Sequence, residues 1–211
     1  SIGLPTLQGY GLTEASPVVS CNIPEKIEVE TVGPPFKTNN VKIANDGEIL
    51  IKGENVMIGY WNKKKETDEV IKNGWLHTGD IGEFTKDGNL IITDRKKELI
   101  VNMGGENISP TKLENLLCLN ENIKQSYVFG DKKNYLVALI VTENLLNEEK
   151  IKEFIKNMNK NVSLIEKIRK FKLITQEFTI ENRMLTPTLK LKRKEILKNY
   201  KQELENLYLN L

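Results

Sequence analysis

Four short segments hold side chains whose type and spacing could do chemistry. In Gln8–Glu14, QGYGLTE, Gly9 and Gly11 flank Tyr10. Glycines there let the backbone approach a flat ligand while the ring offers a stacking face. Thr13 and Glu14 follow with a hydroxyl and a carboxylate, at a reach suited to phosphate and a hard cation. In Trp75–Asp80, WLHTGD, Asp80 after a Thr-Gly turn is set to accept two hydrogen bonds from a vicinal diol such as a ribose. In the third segment, Asp94-Arg95-Lys96-Lys97-Glu98 precedes a glycine pair, Gly104 and Gly105, leading toward a helix that opens at Ser109-Pro110. Such a pair can cradle an anion or admit a thin ligand past the backbone. The fourth, Leu185–Arg193 (LTPTLKLKR), alternates leucine and lysine, so Lys190 and Lys192 share one side if the stretch is extended. A lysine ammonium is a flexible point charge suited to a phosphate or carboxylate that changes during a reaction.

Taken singly, each segment has a plainer structural explanation, and that explanation carries more weight. The first reads as a turn plugged by a Tyr, and the second as an Asp closing a β-turn. The third reads as a charged linker and a loop, the fourth as a solvated basic stretch. Neither the GxGxxG nor the GK[ST] pattern occurs, so no dinucleotide fingerprint and no P-loop are present.

The elements that must position these residues differ between the two halves of the chain. Before residue 94, brief β-type runs at Val41–Ile43, Glu48–Ile51 and Leu90–Thr93 are separated by Gly-containing turns. This predicts a small distorted barrel or sheet. After Asp94–Lys97 the texture becomes α+β. Ser109 and Pro110 cap a helix carrying Leu113, Leu116 and Leu117. Strands follow at Ser126–Gly130 and Tyr135–Thr142. Ile151, Phe154, Ile155 and Met158 fall at helical spacing. Val162, Ile165 and Ile168 predict a second helical stretch, Phe171–Ile174 a third strand, and Ile196 to Tyr208 a single last helix. The expected organisation is 1–94, a hinge at 95–97, and 98–211.

Composition excludes several classes. The chain has 211 residues, 31 basic and 29 acidic, and a formal charge of +2, so the basic excess of a dedicated nucleic-acid binder is missing. Of the 31 basic residues 27 are lysine, most of them read as a solvated face. The lysines lack the interleaved aromatics that stack bases, which counts against RNA. Cys21 and Cys118 have no metal-ligand spacing and His77 is the sole histidine. Free thiols in a reducing compartment fit best, and a cytoplasmic setting is the default expectation. No apolar run approaches the ~18 residues of a membrane span.

Motif order changes the weighing. YGLTE, GEILIKGENVMIGYW at Gly47–Trp61, WLHTGD, DRKKELIV at Asp94–Val101 and LTPTLKLKR together resemble the adenylate-forming superfamily, in the order that family keeps. That group contains acyl- and aryl-CoA ligases, peptide-synthetase adenylation domains and luciferase. GGENISPTKLENLL at Gly104–Leu117 and LTPTLKLKR look most like bacterial long-chain fatty acyl-CoA synthetases. Short-chain members usually have Gly before the final lysine, where this chain has Leu189.

The resemblance implies an α+β architecture: the β-rich end of a large adenylating domain, then a compact mobile C-terminal domain. It implies that Gly9, Tyr10 and Gly11 hold adenine, Thr13 contacts phosphate and Glu14 binds Mg²⁺. Asp80 would take the ribose hydroxyls with help from Arg95, and Lys97 would be the hinge. Lys190 would meet the acyl carboxylate and α-phosphate, and Gly104 and Gly105 would line the path of the CoA thiol. ATP, Mg²⁺, coenzyme A and a fatty acid are the implied cofactor and substrates. The family's phosphate loop and most of its acyl tunnel would precede Ser1, so the chain is expected to be the C-terminal part of a larger enzyme and inert alone. Peripheral membrane contact suits a long acyl substrate, though no element specifies it. The alternatives are a ligase for aryl or shorter acids, or a non-catalytic nucleotide-binding module of the same fold.

Overall fold

The computed structural model describes residues 6–143, 145 and 148–209. The chain divides into two compact units, Ser1–Lys97 and Glu98–Leu211.

The first unit is built from β1 (Gly9–Gly11), β2 (Val18–Cys21), β3 (Asn39–Ile43), β4 (Glu48–Gly53), α1 (Lys64–Val70), β5 (Ile71–Lys72), β6 (Trp75–Phe84) and β7 (Leu90–Arg95). β1 and β2 form an antiparallel ribbon. The others make a curled five-stranded sheet in the order β3-β4-β6-β5, with β7 also paired to β6. Ile49, Ile51, Leu76 and Leu90 close its core together with Ala15 and Val19 from the ribbon. The Thr-Gly pair expected to turn the chain instead lies inside the ten-residue β6. Helix α1, KKETDEV, was not legible as a helix: it buries no residue, so the amphipathic pattern that marks a helix is missing.

The second unit contains β8 (Ile100–Val101), β9 (Asn107–Ile108), α2 (Pro110–Leu117), β10 (Gln125–Phe129), β11 (Leu136–Val141), α3 (Glu148–Met158), β12 (Ile168–Ile174), α4 (Arg193–Asn199) and α5 (Lys201–Leu209). β11 is antiparallel to β10 and parallel to β12. A parallel pair needs a crossover, and α3 supplies it. All six residues of β11 are buried, as expected of a central strand covered on both faces. Leu136, Ala138 and Ile140 pack with Leu113 and Leu117 of α2 and Ile151 and Ile155 of α3. Val137, Leu139 and Val141 pack with Ile196 of α4 and Tyr200 and Leu204. The period of two along one strand therefore organises two helical layers.

Two element predictions are corrected here. Val162–Ile168 is no helix: Leu164–Glu166 is one 3₁₀ turn capped reciprocally by Ser163 and Glu166, and Ile168 already pairs with Leu136 in the sheet. A spacing of three residues suits a 3₁₀ turn as well as a helix. The last helix is broken into α4 and α5 at Tyr200, whose ring is buried edge-on against Phe178 at 6.2 Å.

Candidate functional site

Asp80 projects from an irregularity in β6. Glu48 of β4 pairs with Ile81, but Leu50 pairs with His77, so the Thr78–Asp80 stretch bulges out of the ladder. Gly79 takes a φ of +72°, a left-handed conformation open to glycine at little cost. The bulge's amides find side-chain acceptors. Thr78 Oγ1 accepts from Asp80 N–H at 3.0 Å and donates to the Ile49 carbonyl at 2.8 Å. Glu48 Oε1 accepts from Gly79 N–H at 2.9 Å. Across the ladder Asp80 is paired with Arg95. Its carboxylate is 3% exposed, with Arg95 Nε 2.6 Å from Oδ1 and the Tyr10 hydroxyl donating to Oδ2 at 2.7 Å. The structure thus gathers Tyr10, Asp80 and Arg95, residues 70 and 15 positions apart, around one buried carboxylate.

Burial, and then the hydrogen bond to Asp80, raise the Tyr10 pKa well above its ordinary value of 10.0. Above pH 10 the unfolded chain ionises this phenol while the folded chain keeps it neutral. The unfolded state then binds fewer protons, and stability falls as pH rises. Urea midpoints of the chain between pH 8 and 11 should therefore decline, and Tyr10→Phe should make the decline shallower. An unchanged slope in the variant would remove Tyr10 as its source.

Thr13 and Glu14 lie on a 3₁₀ turn, Thr13–Ala15, that follows β1. Gly11 is a glycine for packing reasons, since a Cβ there would run into the Pro17 carbonyl. The loop after β4 clasps this turn at three points. Met57 N–H donates to the Glu14 carbonyl at 2.8 Å, Asn55 Nδ2 to the Ala15 carbonyl at 2.8 Å, and the Tyr60 hydroxyl to Glu14 Oε1 at 2.8 Å. The bond to Glu14 raises the Tyr60 pKa. Thr13 is exposed. Among the described residues no three His, Cys, Asp or Glu side chains group as a metal site. A lone carboxylate with one oxygen committed still fits Mg²⁺, which is commonly held by one or two carboxylates plus substrate phosphates.

In the second unit the glycine pair does not sit on a helix N-terminus, contrary to the sequence reading. Gly104 and Gly105 form the exposed tip of the β8–β9 hairpin, braced by Asn102 Oδ1 accepting from Glu106 N–H at 2.9 Å. Nothing lies within 4 Å of where a Cβ on Gly105 would stand, so the tip is open. Helix α2 starts five residues on from Gly105, capped by Ser109.

Lys190 is also not on an extended stretch. Thr186–Lys190 is a tight turn in which Thr186 N–H donates to the Lys190 carbonyl at 2.8 Å and Lys190 N–H to Thr186 Oγ1 at 3.0 Å. Leu185 and Leu191 bridge across its base. Leu189 pays a left-handed φ of +59°, a strain of about 1 kcal/mol that Gly would not carry. Lys190 itself is exposed at the turn.

Arg193 ties the following helix to α2. Its Nη2 donates to Glu114 Oε2 at 2.5 Å, while Glu114 Oε1 accepts from Val128 N–H at 2.8 Å. Arg193 also lies over the Tyr127 ring, 5.4 Å from its centre. Glu48, Tyr60 and Glu114 were not singled out in the sequence, although Glu48 and Tyr60 lie in GEILIKGENVMIGYW and Glu114 in GGENISPTKLENLL. Nothing local in those segments names their partners.

A β-rich unit presenting a buried aspartate, followed by an α/β/α unit with a lysine on a tight turn, defines the class. The "AMP-binding enzyme C-terminal domain" profile matches residues 97–211 and the "AMP-binding enzyme" profile residues 2–61. The chain belongs to this AMP-binding, adenylate-forming enzyme family.

Its relatives narrow the class. Long-chain-fatty-acid–CoA ligase FadD15 of Mycobacterium bovis is 36% identical over 232 residues, covering 98% of this chain and 38% of that protein. Long-chain-fatty-acid–CoA ligase 5 of Mus musculus is 33% identical, covering 99% of this chain and 36% of that protein. Among solved structures, O-succinylbenzoate coenzyme A synthetase (MenE) of Bacillus subtilis in complex with AMP superposes with a TM-score of 0.71 at 28% identity, covering 91% of this chain and 40% of that one. The chain spans a little over a third of the length of the curated relatives it matches.

Proposed function

We propose that these two units serve as the C-terminal portion of a long-chain fatty acid–CoA ligase. Such an enzyme joins a fatty acid to AMP from ATP, releasing pyrophosphate, and then passes the acyl group to the thiol of coenzyme A. The observation that carries the reading is the buried Asp80, held between Tyr10 and Arg95, in a chain 36% identical to FadD15.

The residues divide the work as follows. Gly9, Tyr10 and Gly11 receive the adenine, and Thr13 contacts phosphate. Asp80 accepts hydrogen bonds from the ribose hydroxyls, using lone pairs beyond those engaged by Tyr10 and Arg95 or taking the place of the Tyr10 hydroxyl. A Mg²⁺ at Glu14 would supply neutralising charge to the phosphates. Lys190 brings its ammonium to the carboxylate and α-phosphate, two anions that repel until a cation lies between them. Arg95 and Lys96 are held within the first unit by Asp80, Asp46 and Glu48. The hinge is therefore assigned to Lys97, next to the division between the units. Gly104 and Gly105, at an open hairpin tip, would let the CoA thiol pass.

The test is ATP–pyrophosphate exchange by the full-length ligase over fatty acids of graded length and a set of aryl acids. Exchange strongest with long-chain acids is expected. Exchange driven by aryl or short acids instead would overturn the substrate assignment, and none with any acid would overturn the activity. Localisation is left to the substrate: among the described residues no helix is long and apolar enough to cross a membrane.

A further inference from the structure

The mechanism above leaves unused a buried carboxylate beside the site. Glu48 is 4% exposed, yet both oxygens of its carboxylate have partners. Oε1 accepts from Gly79 N–H at 2.9 Å, and Oε2 lies 2.8 Å from Lys96 Nζ and 3.0 Å from His77 Nδ1. Asp46 completes the group, 2.6 Å from the same Lys96 ammonium. Burial works against the charge on Glu48, but Lys96, His77 and the Gly79 N–H outweigh it and hold its pKa below the usual carboxylate range.

A core position on β4 needs no charge for packing. Its neighbours Ile49, Leu50 and Ile51 are all apolar and buried. The bulge supplies the reason. Where β6 leaves register between Leu50 and Glu48, Gly79 N–H falls outside the ladder and must find another acceptor. Glu48 Oε1 is that acceptor, and the residue it holds, Gly79, comes directly before Asp80.

We infer that Glu48 is a positioning residue for Asp80: through Gly79 N–H it sets the bulge that aims the aspartate at the ribose hydroxyls of a bound nucleotide. The inference rests on the reading that Asp80 takes the ribose, and it adds a residue whose contribution runs through the backbone without touching the ligand. Lys96 and His77 keep the Glu48 carboxylate charged and oriented.

The experiment is equilibrium binding of AMP and 2′,3′-dideoxy-AMP to the full-length ligase by calorimetry, comparing wild type, Asp80→Ala and Glu48→Ala. Glu48→Ala should weaken AMP about tenfold, the typical worth of one hydrogen bond to a charged group, while leaving dideoxy-AMP within twofold. Asp80→Ala should remove the preference for AMP altogether. A merely structural role for Glu48 would weaken both nucleotides alike, and that result overturns the inference. If Asp80→Ala discriminates as wild type does, the ribose reading falls and the inference with it. If Asp80→Ala loses the preference but Glu48→Ala keeps it, the inference alone fails. Should Glu48→Ala lose its fold by circular dichroism, Glu48→Leu takes its place, keeping most of the volume while removing the acceptor for Gly79 N–H. It should weaken AMP several-fold and spare dideoxy-AMP, and wild-type binding of both by Glu48→Leu overturns the proposal.

Discussion

If the proposed function holds, Lys190→Met in the full-length protein is expected to slow acyl-adenylate formation by about a hundred- to a thousandfold, the usual cost of losing one charge-stabilising contact in a transition state. Transfer from preformed acyl-adenylate to CoA should stay within a few-fold of wild type. The difference between the half-reactions follows from where the lysine stands. Lys190 is exposed on a tight turn, and among the described residues none forms an ion pair with its ammonium. Removing that charge therefore leaves the second unit's packing alone, and Met keeps most of the stem. The turn's backbone is held by Thr186, not by the lysine side chain. A lysine needed only while carboxylate and phosphate are being joined should be dispensable once the adenylate exists. Pyrophosphate exchange and single-turnover thioester formation measure the two steps separately. Equal losses in both would remove Lys190 from this role.

The largest effect on stability is expected from Arg193→Leu. Glu114 is 7% exposed and its carboxylate is shared between Arg193 and Val128 N–H. Without the guanidinium this buried carboxylate loses its Arg193 partner, and removing one member of a buried pair typically costs about 3–5 kcal/mol. For a unit of this size that corresponds to a fall in melting temperature of about 10–20 °C. Glu114→Leu combined with Arg193→Leu should recover part of the loss, because an absent pair is cheaper to bury than half of one. Differential scanning calorimetry of the 211-residue chain measures both. A shift below about 3 °C in the single variant would show that Glu114 finds another partner or water, and would sink the assignment. Arg193 lies only three residues beyond Lys190, so its salt bridge to Glu114 helps anchor the segment that carries the proposed catalytic lysine.

Several elements were legible because the signal was local. Ser109 and Pro110 announce α2, and Ser109 does cap it by accepting from Lys112 N–H at 3.2 Å. The apolar run Leu136–Val141 announces a strand, and its complete burial identifies it as central. Others were not legible, for reasons that differ. Helix α1 has no apolar face to give it away. Ile168 sits at a spacing compatible with helix, but pairing with Leu136 draws it into the sheet, and ladder bonds outweigh a weak local preference. The Thr-Gly pair of WLHTGD has turn chemistry, yet the ladders on both sides of β6 absorb it as a bulge.

The candidate site divides in the same way. The sequence by itself singled out the candidate residues, Tyr10, Glu14, Asp80, Arg95 and Lys190, and their order along the chain, and that order is what a family preserves. Only the tertiary structure decided who their partners are: Tyr10 and Arg95 on Asp80, Tyr60 on Glu14, Glu48 behind Gly79, and Glu114 on Arg193. These contacts join residues from 15 to 79 positions apart. Capping and periodicity are written within a few residues along the chain. A hydrogen bond across the fold exists only once strand register and helix packing have brought donor and acceptor within about 3 Å.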